Sequence, residues 1–199
     1  MSISMKSLLA AAVASLVVGN AMAADGTINF TGEITAASCQ MTGGSGTTVG
    51  GSAGNQTIDV NLGKVSIDAL GGTAGGGIAA GTNINLELDC GNTGTGLTTV
   101  KVKFDPASGS GIDTNNVNLL KTTGVATGVG IGIYDTSGKL LNLSANETFD
   151  AALVEDDTDP QNVKYSAKLN LRAGYVQSGS AKPTAGTANG TLPFTLTYN

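Results

Sequence analysis

Apolar and polar residues alternate along seven stretches of this chain, and a period of two is the pattern of strands with one buried face. The stretches are Thr27 to Thr35, Thr57 to Leu62, Asn83 to Asp89, Val100 to Phe104, Val129 to Tyr134, Asn162 to Leu171 and Leu192 to Tyr198. Turn-forming residues fall between them at Asp105-Pro106, Ser108 to Gly111, Asp135 to Gly138 and Asn189-Gly190, as an antiparallel sandwich requires. The expected fold is therefore all-β. Helical signal is scarce, and Val65 to Leu70 supports one helical turn at most. Three segments resist the strand pattern. Thr42 to Asn55, with glycine at six of fourteen positions, offers nothing large to bury and is expected to be a mobile loop. Gly71 to Gly81 is expected to be a second loop, and Glu155 to Pro160 an acidic surface loop.

The amino terminus changes the picture by fixing a compartment. Lys6, the apolar run Leu8 to Val18 and the small residues Ala21-Met22-Ala23 compose a secretory signal peptide over residues 1–23. The run falls short of the roughly 20 residues a membrane span requires. Cleavage after Ala23 would remove Lys6 and lower the formal net charge from −5 to −6, which disfavours nucleic acid or an anionic membrane as partner. Cys39 and Cys90 are the only cysteines, and an even count in an exported chain most simply means a disulfide. Such a bond would stabilise the fold by about 4 kcal/mol through denatured-state entropy. A metal or redox pair suits so wide a spacing poorly.

The chemistry available is limited. The chain has no histidine, which excludes Ser-His-Asp and Cys-His catalysis and His-ligated metals. Gly128, Gly130 and Gly132 lie two apart within an apparent strand and suit close backbone packing better than phosphate binding. Glu155, Asp156, Asp157 and Asp159 lack the spacing of a calcium loop, and a glycosidase pair would lack tryptophan for sugar contacts. The expectation is a non-enzyme without metal or cofactor.

The two ends of the exported chain carry the strongest alternation. Ile28, Phe30, Gly32 and Ile34 occupy every second position near the new amino terminus, and Leu192, Phe194, Leu196 and Tyr198 do the same up to the last residue but one. One explanation is two ordinary strands that pair within their own sheet. The other is intermolecular: ends fray unless tied down, and an apolar strand edge invites strand addition. Burying Ile28, Phe30 and Ile34 in a neighbour would contribute about 5 to 8 kcal/mol before ordering costs.

Ala24 to Ile34 leading into Cys39 resembles the amino-terminal donor extension of chaperone-usher pilins, the type 1 pilin family. Members commonly carry a glycine fourteenth from the end and a tyrosine second from the end, the places of Gly186 and Tyr198. Gln56 to Gly63, Leu88-Asp89-Cys90, Val129 to Asp135 and Tyr165 to Tyr175 are similar to further segments of the family. The resemblance implies an incomplete immunoglobulin-like sandwich, completed by a donor strand from a neighbouring subunit. It divides the chain into a signal peptide (1–23), a donor extension (24–37) and a pilin domain (38–199).

Carried over by position, the donor residues would be Ile28, Phe30 and Ile34, with Gly32 at a small pocket. Gly186, Leu192, Phe194, Leu196 and Tyr198 would form the groove edge and meet a chaperone, and Cys39 and Cys90 would form the family disulfide. Pro193, lacking a backbone donor, is expected to weaken the start of the strand beside the groove. The implied partners are identical or related subunits, a periplasmic chaperone and an outer-membrane usher, and the implied destination is a surface fimbria with a role in adhesion. The alternative is a secreted β-sandwich adhesin or a carbohydrate- or protein-binding module. Against it, the donor-like strand starts at the mature terminus, with no preceding lectin domain.

Overall fold

The computed structural model describes residues 39–70, 78 and 81–199. The first expected strand, and with it Ile28, Phe30, Gly32 and Ile34, lies outside them, as do the signal peptide and most of the Gly71 to Gly81 segment.

Among the described residues ten strands run in chain order: β1 (Gln40–Gly43), β2 (Thr47–Ser52), β3 (Asn55–Val60), β4 (Gly81–Gly91), β5 (Thr99–Phe104), β6 (Leu120–Lys121), β7 (Val129–Tyr134), β8 (Thr148–Asp156), β9 (Lys164–Gln177) and β10 (Phe194–Tyr198). All pairings are antiparallel. Helix among the described residues amounts to four single 3-10 turns, one at Ile67–Ala69 within the segment expected to hold one.

Eight strands make one curled sheet in the order β1-β4-β9-β8-β5-β10, with β7 also on β9 and β6 on β7. The curl arises at β8. Its first half, Thr148 to Ala152, pairs with β5, and its second half, Leu153 to Asp156, pairs with β9. One strand thus serves both layers, which is how a continuous sheet folds over its own apolar face.

Alternation places the core. Ile84, Leu86, Leu88 and Cys90 of β4 face inward, with Val100, Val102 and Phe104 of β5 and Ala167, Leu169, Leu171 and Ala173 of β9, and all are buried. The lysines between them, such as Lys101, Lys103 and Lys168, do not enter the core. β7 is different because all six of its residues are buried. Ile131 and Ile133 join the main core, while Tyr134 packs with Leu119 and Val176 in a second, smaller cluster. Glycine makes this two-sided covering feasible: a Cβ at Gly130 would lie 2.9 Å from Leu119 Cβ, and one at Gly132 would lie 2.7 Å from the Tyr134 ring. Gly130→Val is expected to cost about 1–3 kcal/mol by overpacking, read as a lower urea midpoint with an unchanged slope.

Four expectations need correction. Thr42 to Asn55 is not a loop: β2 and β3 form a hairpin, with Val49 opposite Ile58. Its glycines supply turns, Gly46, Gly51 and Gly54 having φ of 85°, 90° and 84°. An edge hairpin held by backbone bonds needs little apolar burial, so the alternation cue is weak there. Glu155 and Asp156 are not loop residues but the end of β8, opposite Tyr165 and Lys164. The Asp156 and Asp159 carboxylates accept bonds from Thr158 and Gln161 and close the local turns. Asn189-Gly190 is not a chain reversal, since Asn189 exchanges both backbone bonds with Thr123. Strand β10 starts at Phe194, so Leu192 and Pro193 lie before it.

Candidate functional site: an unpaired strand edge

Among the described residues β10 pairs with β5 alone, in the register Phe194 with Phe104, Leu196 with Val102 and Tyr198 with Val100. Asn199 exchanges both backbone bonds with Thr99 at 2.9 Å, and the Pro193 carbonyl accepts from Asp105 N–H at 2.8 Å. In an antiparallel strand N–H and C=O of one residue point to the same side, and the side alternates. Residues 193, 195, 197 and 199 therefore direct their peptide groups at β5. Phe194, Leu196 and Tyr198 direct theirs at the unpaired edge.

This parity revises the role expected of Pro193. The donor it lacks falls on the β5 side, before the strand begins, so the outer edge keeps its N–H groups.

The side chains of those same three residues turn toward the core, where they are only partly covered. Leu192, Phe194, Leu196 and Tyr198 pack against the main core yet remain half-buried, while their β5 neighbours Val100, Val102 and Phe104 are 0%, 3% and 9% exposed. Val49, Ile58, Val60 and Leu62, from β2, β3 and the residues after it, make a second half-covered row on the same core. Thr195 and Thr197 face solvent. The last strand thus combines three outward peptide groups with an unfinished apolar row, the two things strand addition uses.

Tyr198 closes one end of this region. Its hydroxyl faces the backbone of Cys39. Burial raises its pKa, and the Cys39 backbone acts in the opposite sense. The neutral phenol is thus the form the fold holds. Cys39 and Cys90 form a disulfide, both buried at 2% and 3% exposure. The β1–β4 register sets Gln40 against Asp89, so the next pair outward is Cys39 against Cys90, a cross-strand bridge.

Gly186 does not sit on β10. It lies against the loop at Val125 and Ala126, where a Cβ would fall 2.8 Å from the Ala126 nitrogen. Strand β10 is led in by a segment tied across the sheet end: Thr184 and Thr187 bond to Thr127 and Ala126, Asn189 to Thr123, Thr191 to Ser110, and the Tyr175 hydroxyl to the Ala188 carbonyl.

Two polar arrangements escaped the sequence reading. Asp113 accepts from the Ser178 hydroxyl and from Asn115 and Asn116 N–H, fixing the turn that carries Leu119 beside the end of β9. Gln56 meets the backbone of Met41. Neither has a periodic signal, because each depends on residues far apart in the chain.

Among the described residues, the final strand of this antiparallel sandwich is paired on one side only. The profile of a family described as "Fimbrial protein" matches residues 28–199, and the chain belongs to that family. It is similar to a type-1 fimbrial protein subunit of Serratia marcescens, 34% identical and covering 96% of both chains. It is also similar to long polar fimbria protein A of Salmonella typhimurium, at 32% identity over 96% of this chain and 93% of the relative. Among solved structures, a chaperone-usher pilus chain superposes with a TM-score of 0.53, at 24% identity over 88% of this chain and 96% of that one. The P pilus rod subunit PapA gives 0.51, at 24% identity over 78% and 100%. These structural likenesses support the incomplete immunoglobulin-like fold, and the family makes the chain a structural fimbrial subunit with a role in adhesion.

Proposed function

We propose that this subunit polymerises by strand exchange. Residues 24–37 of one copy enter beside β10 of the next, pairing with the outward peptide groups of Phe194, Leu196 and Tyr198. Ile28, Phe30 and Ile34 complete the half-covered row, and Gly32 fits where space is least. Before assembly a periplasmic chaperone lends a strand to the same edge, and the subunit passes through an outer-membrane usher to the cell surface. Residues 1–23 direct export and are removed. The role is structural, without catalysis. The observation that carries this reading is the contrast across β10, fully covered residues on β5 and half-covered ones at the edge.

A chain lacking residues 24–37, with its disulfide oxidised, is expected to melt at a much higher temperature when a peptide of that sequence is added. A ligand that binds the folded state alone stabilises it by about 2.7 kcal/mol at a hundred times its Kd. A truncated chain already stable and indifferent to the peptide would instead favour a self-contained secreted binding module.

A further inference from the structure

Strand β1 has an outer edge of its own. It pairs with β4 on one side, and among the described residues no strand ladder forms on the other. Three residues face outward there by the alternation of the ladder, Cys39, Met41 and Gly43. Side chains or a turn cover each. Met41 N–H donates to Gln56 Oε1 at 2.9 Å, and Gln56 Nε2 donates back to the Met41 carbonyl at 3.0 Å. The Gln40 amide adds a longer contact of 3.4 Å to that carbonyl. The Tyr198 hydroxyl faces the Cys39 backbone. At Gly43 the chain's own turn crowds in, with the Thr47 carbonyl against the place a Cβ would take.

The Gln56 arrangement has a specific chemical form. A primary carboxamide sets an acceptor and a donor side by side, the same pair that the peptides of an adjacent strand would offer. Gln56 is half-buried on β3, with its amide directed at the one β1 residue whose two peptide groups both point outward and whose side chain is in the core. An uncovered edge in this place would be a template for pairing with another chain.

We propose that Gln56 is a side-chain plug that closes the outer edge of β1, so that the donor segment of a second copy of this chain is directed to β10 and not to β1. The proposal rests on the strand-exchange reading and adds to it the residue that selects the edge. The competing role is plain anchoring of the β2–β3 hairpin, which would affect stability without affecting association.

The exported chain, oxidised and saturated with the 24–37 peptide so that β10 is occupied, separates these roles when Gln56→Ala and Gln56→Glu are compared with the unchanged protein. Amide exchange at Met41 and sedimentation velocity over rising concentration are the readouts. In Gln56→Ala, Met41 exchange is expected to accelerate at least about tenfold as its partner is lost, and a concentration-dependent association absent from the parent is expected to appear. Gln56→Glu keeps an acceptor for Met41 N–H but near neutral pH brings a carboxylate against the Met41 carbonyl without a donor, so Met41 exchange should stay near the parent's while the association appears. That association should recede below pH of about 4, where a protonated carboxyl regains an O–H. If the Ala variant does not fold, association of the Glu variant carries the test alone. Unchanged Met41 exchange in Gln56→Ala overturns the plug, and the absence of association in the variants that fold reduces Gln56 to an anchor and overturns its edge-selecting role. A parent protein whose melting ignores the peptide would remove the strand-exchange reading itself, and the plug's purpose with it.

Discussion

Replacing Cys39 and Cys90 together by alanine is expected to lower the unfolding free energy by about 2–5 kcal/mol, the range for removing a native disulfide from a small exported domain. Alanine is the informative choice because both positions are buried, and a serine hydroxyl there would add an unsatisfied polar group to the cost. The loss should fall on β1 first. That strand has four residues and four registered pairs with β4, and the bridge continues the same ladder one pair further. Typical domains hold only about 5–15 kcal/mol in all, and among the described residues of this one no strand covers the outer side of β10. Much of the unbridged population should therefore be unfolded until a donor binds. Urea titrations of the oxidised, reduced and double-alanine proteins, each with and without the 24–37 peptide, check this. Equal midpoints in all three would show that the bridge contributes nothing the ladder does not already supply.

Proline at Leu196 and proline at Thr197 are expected to act in opposite places. Leu196 directs its N–H at the unpaired edge, so Leu196→Pro leaves the pairing with β5 intact while removing a donor from the incoming strand's path and setting a ring in its way. An edge position whose N–H faces outward is where strands tolerate proline. Losing that bond and the Leu196 side chain should weaken peptide uptake by at least about 1–3 kcal/mol, or roughly five- to 150-fold, while the unliganded chain, which loses only the half-buried packing of Leu196, should fall less in melting temperature than Thr197→Pro. Thr197 directs its N–H at β5 opposite Lys101. Thr197→Pro should instead destabilise the unliganded chain itself. Calorimetric titration with the peptide, read beside the melting temperature of each variant, separates the two. If both variants lose stability and uptake in parallel, the strand parity derived from the Asn199 and Pro193 bonds is wrong.

How much of this was legible beforehand varied with the physical signal each element carries. β7 was located from its alternating Val129, Ile131 and Ile133, and β5 to within a residue, because one inward row of large side chains leaves a period-two trace. β8 left none that was read: Phe149, Ala151 and Leu153 alternate, but Ala152 and the exposed Val154 fill the gaps, as suits a strand that changes sheet partner midway. β1 and β2 were hidden by glycine, since a short edge strand held through backbone bonds owes little to side-chain type. The alternation of Leu192 to Tyr198 named the residues of the site without deciding whether they pair within the chain or beyond it. The strand order adds that, among the described residues, β10 pairs with β5 alone. Gln56 was illegible because a glutamine's partner is set by tertiary placement, fifteen residues away in this case.

The cross-strand bridge also decides how the subunit would carry a pulling force. Tension arriving through the segment before Cys39 enters β1 at its first residue, and a ladder of four residue pairs loaded there would open one bond at a time. The sulfur link instead passes the load straight to Cys90 on β4, whose long ladder with β9 resists as many bonds sheared together. The chain between the cysteines, a sequence separation of 51, is thereby withdrawn from the stretchable contour, a saving of about 170 Å at roughly 3.3–3.6 Å per extended residue. A fibre of such subunits would lengthen under load by rearranging contacts between neighbours, or by releasing chain beyond Cys90, before it could draw on that hidden length.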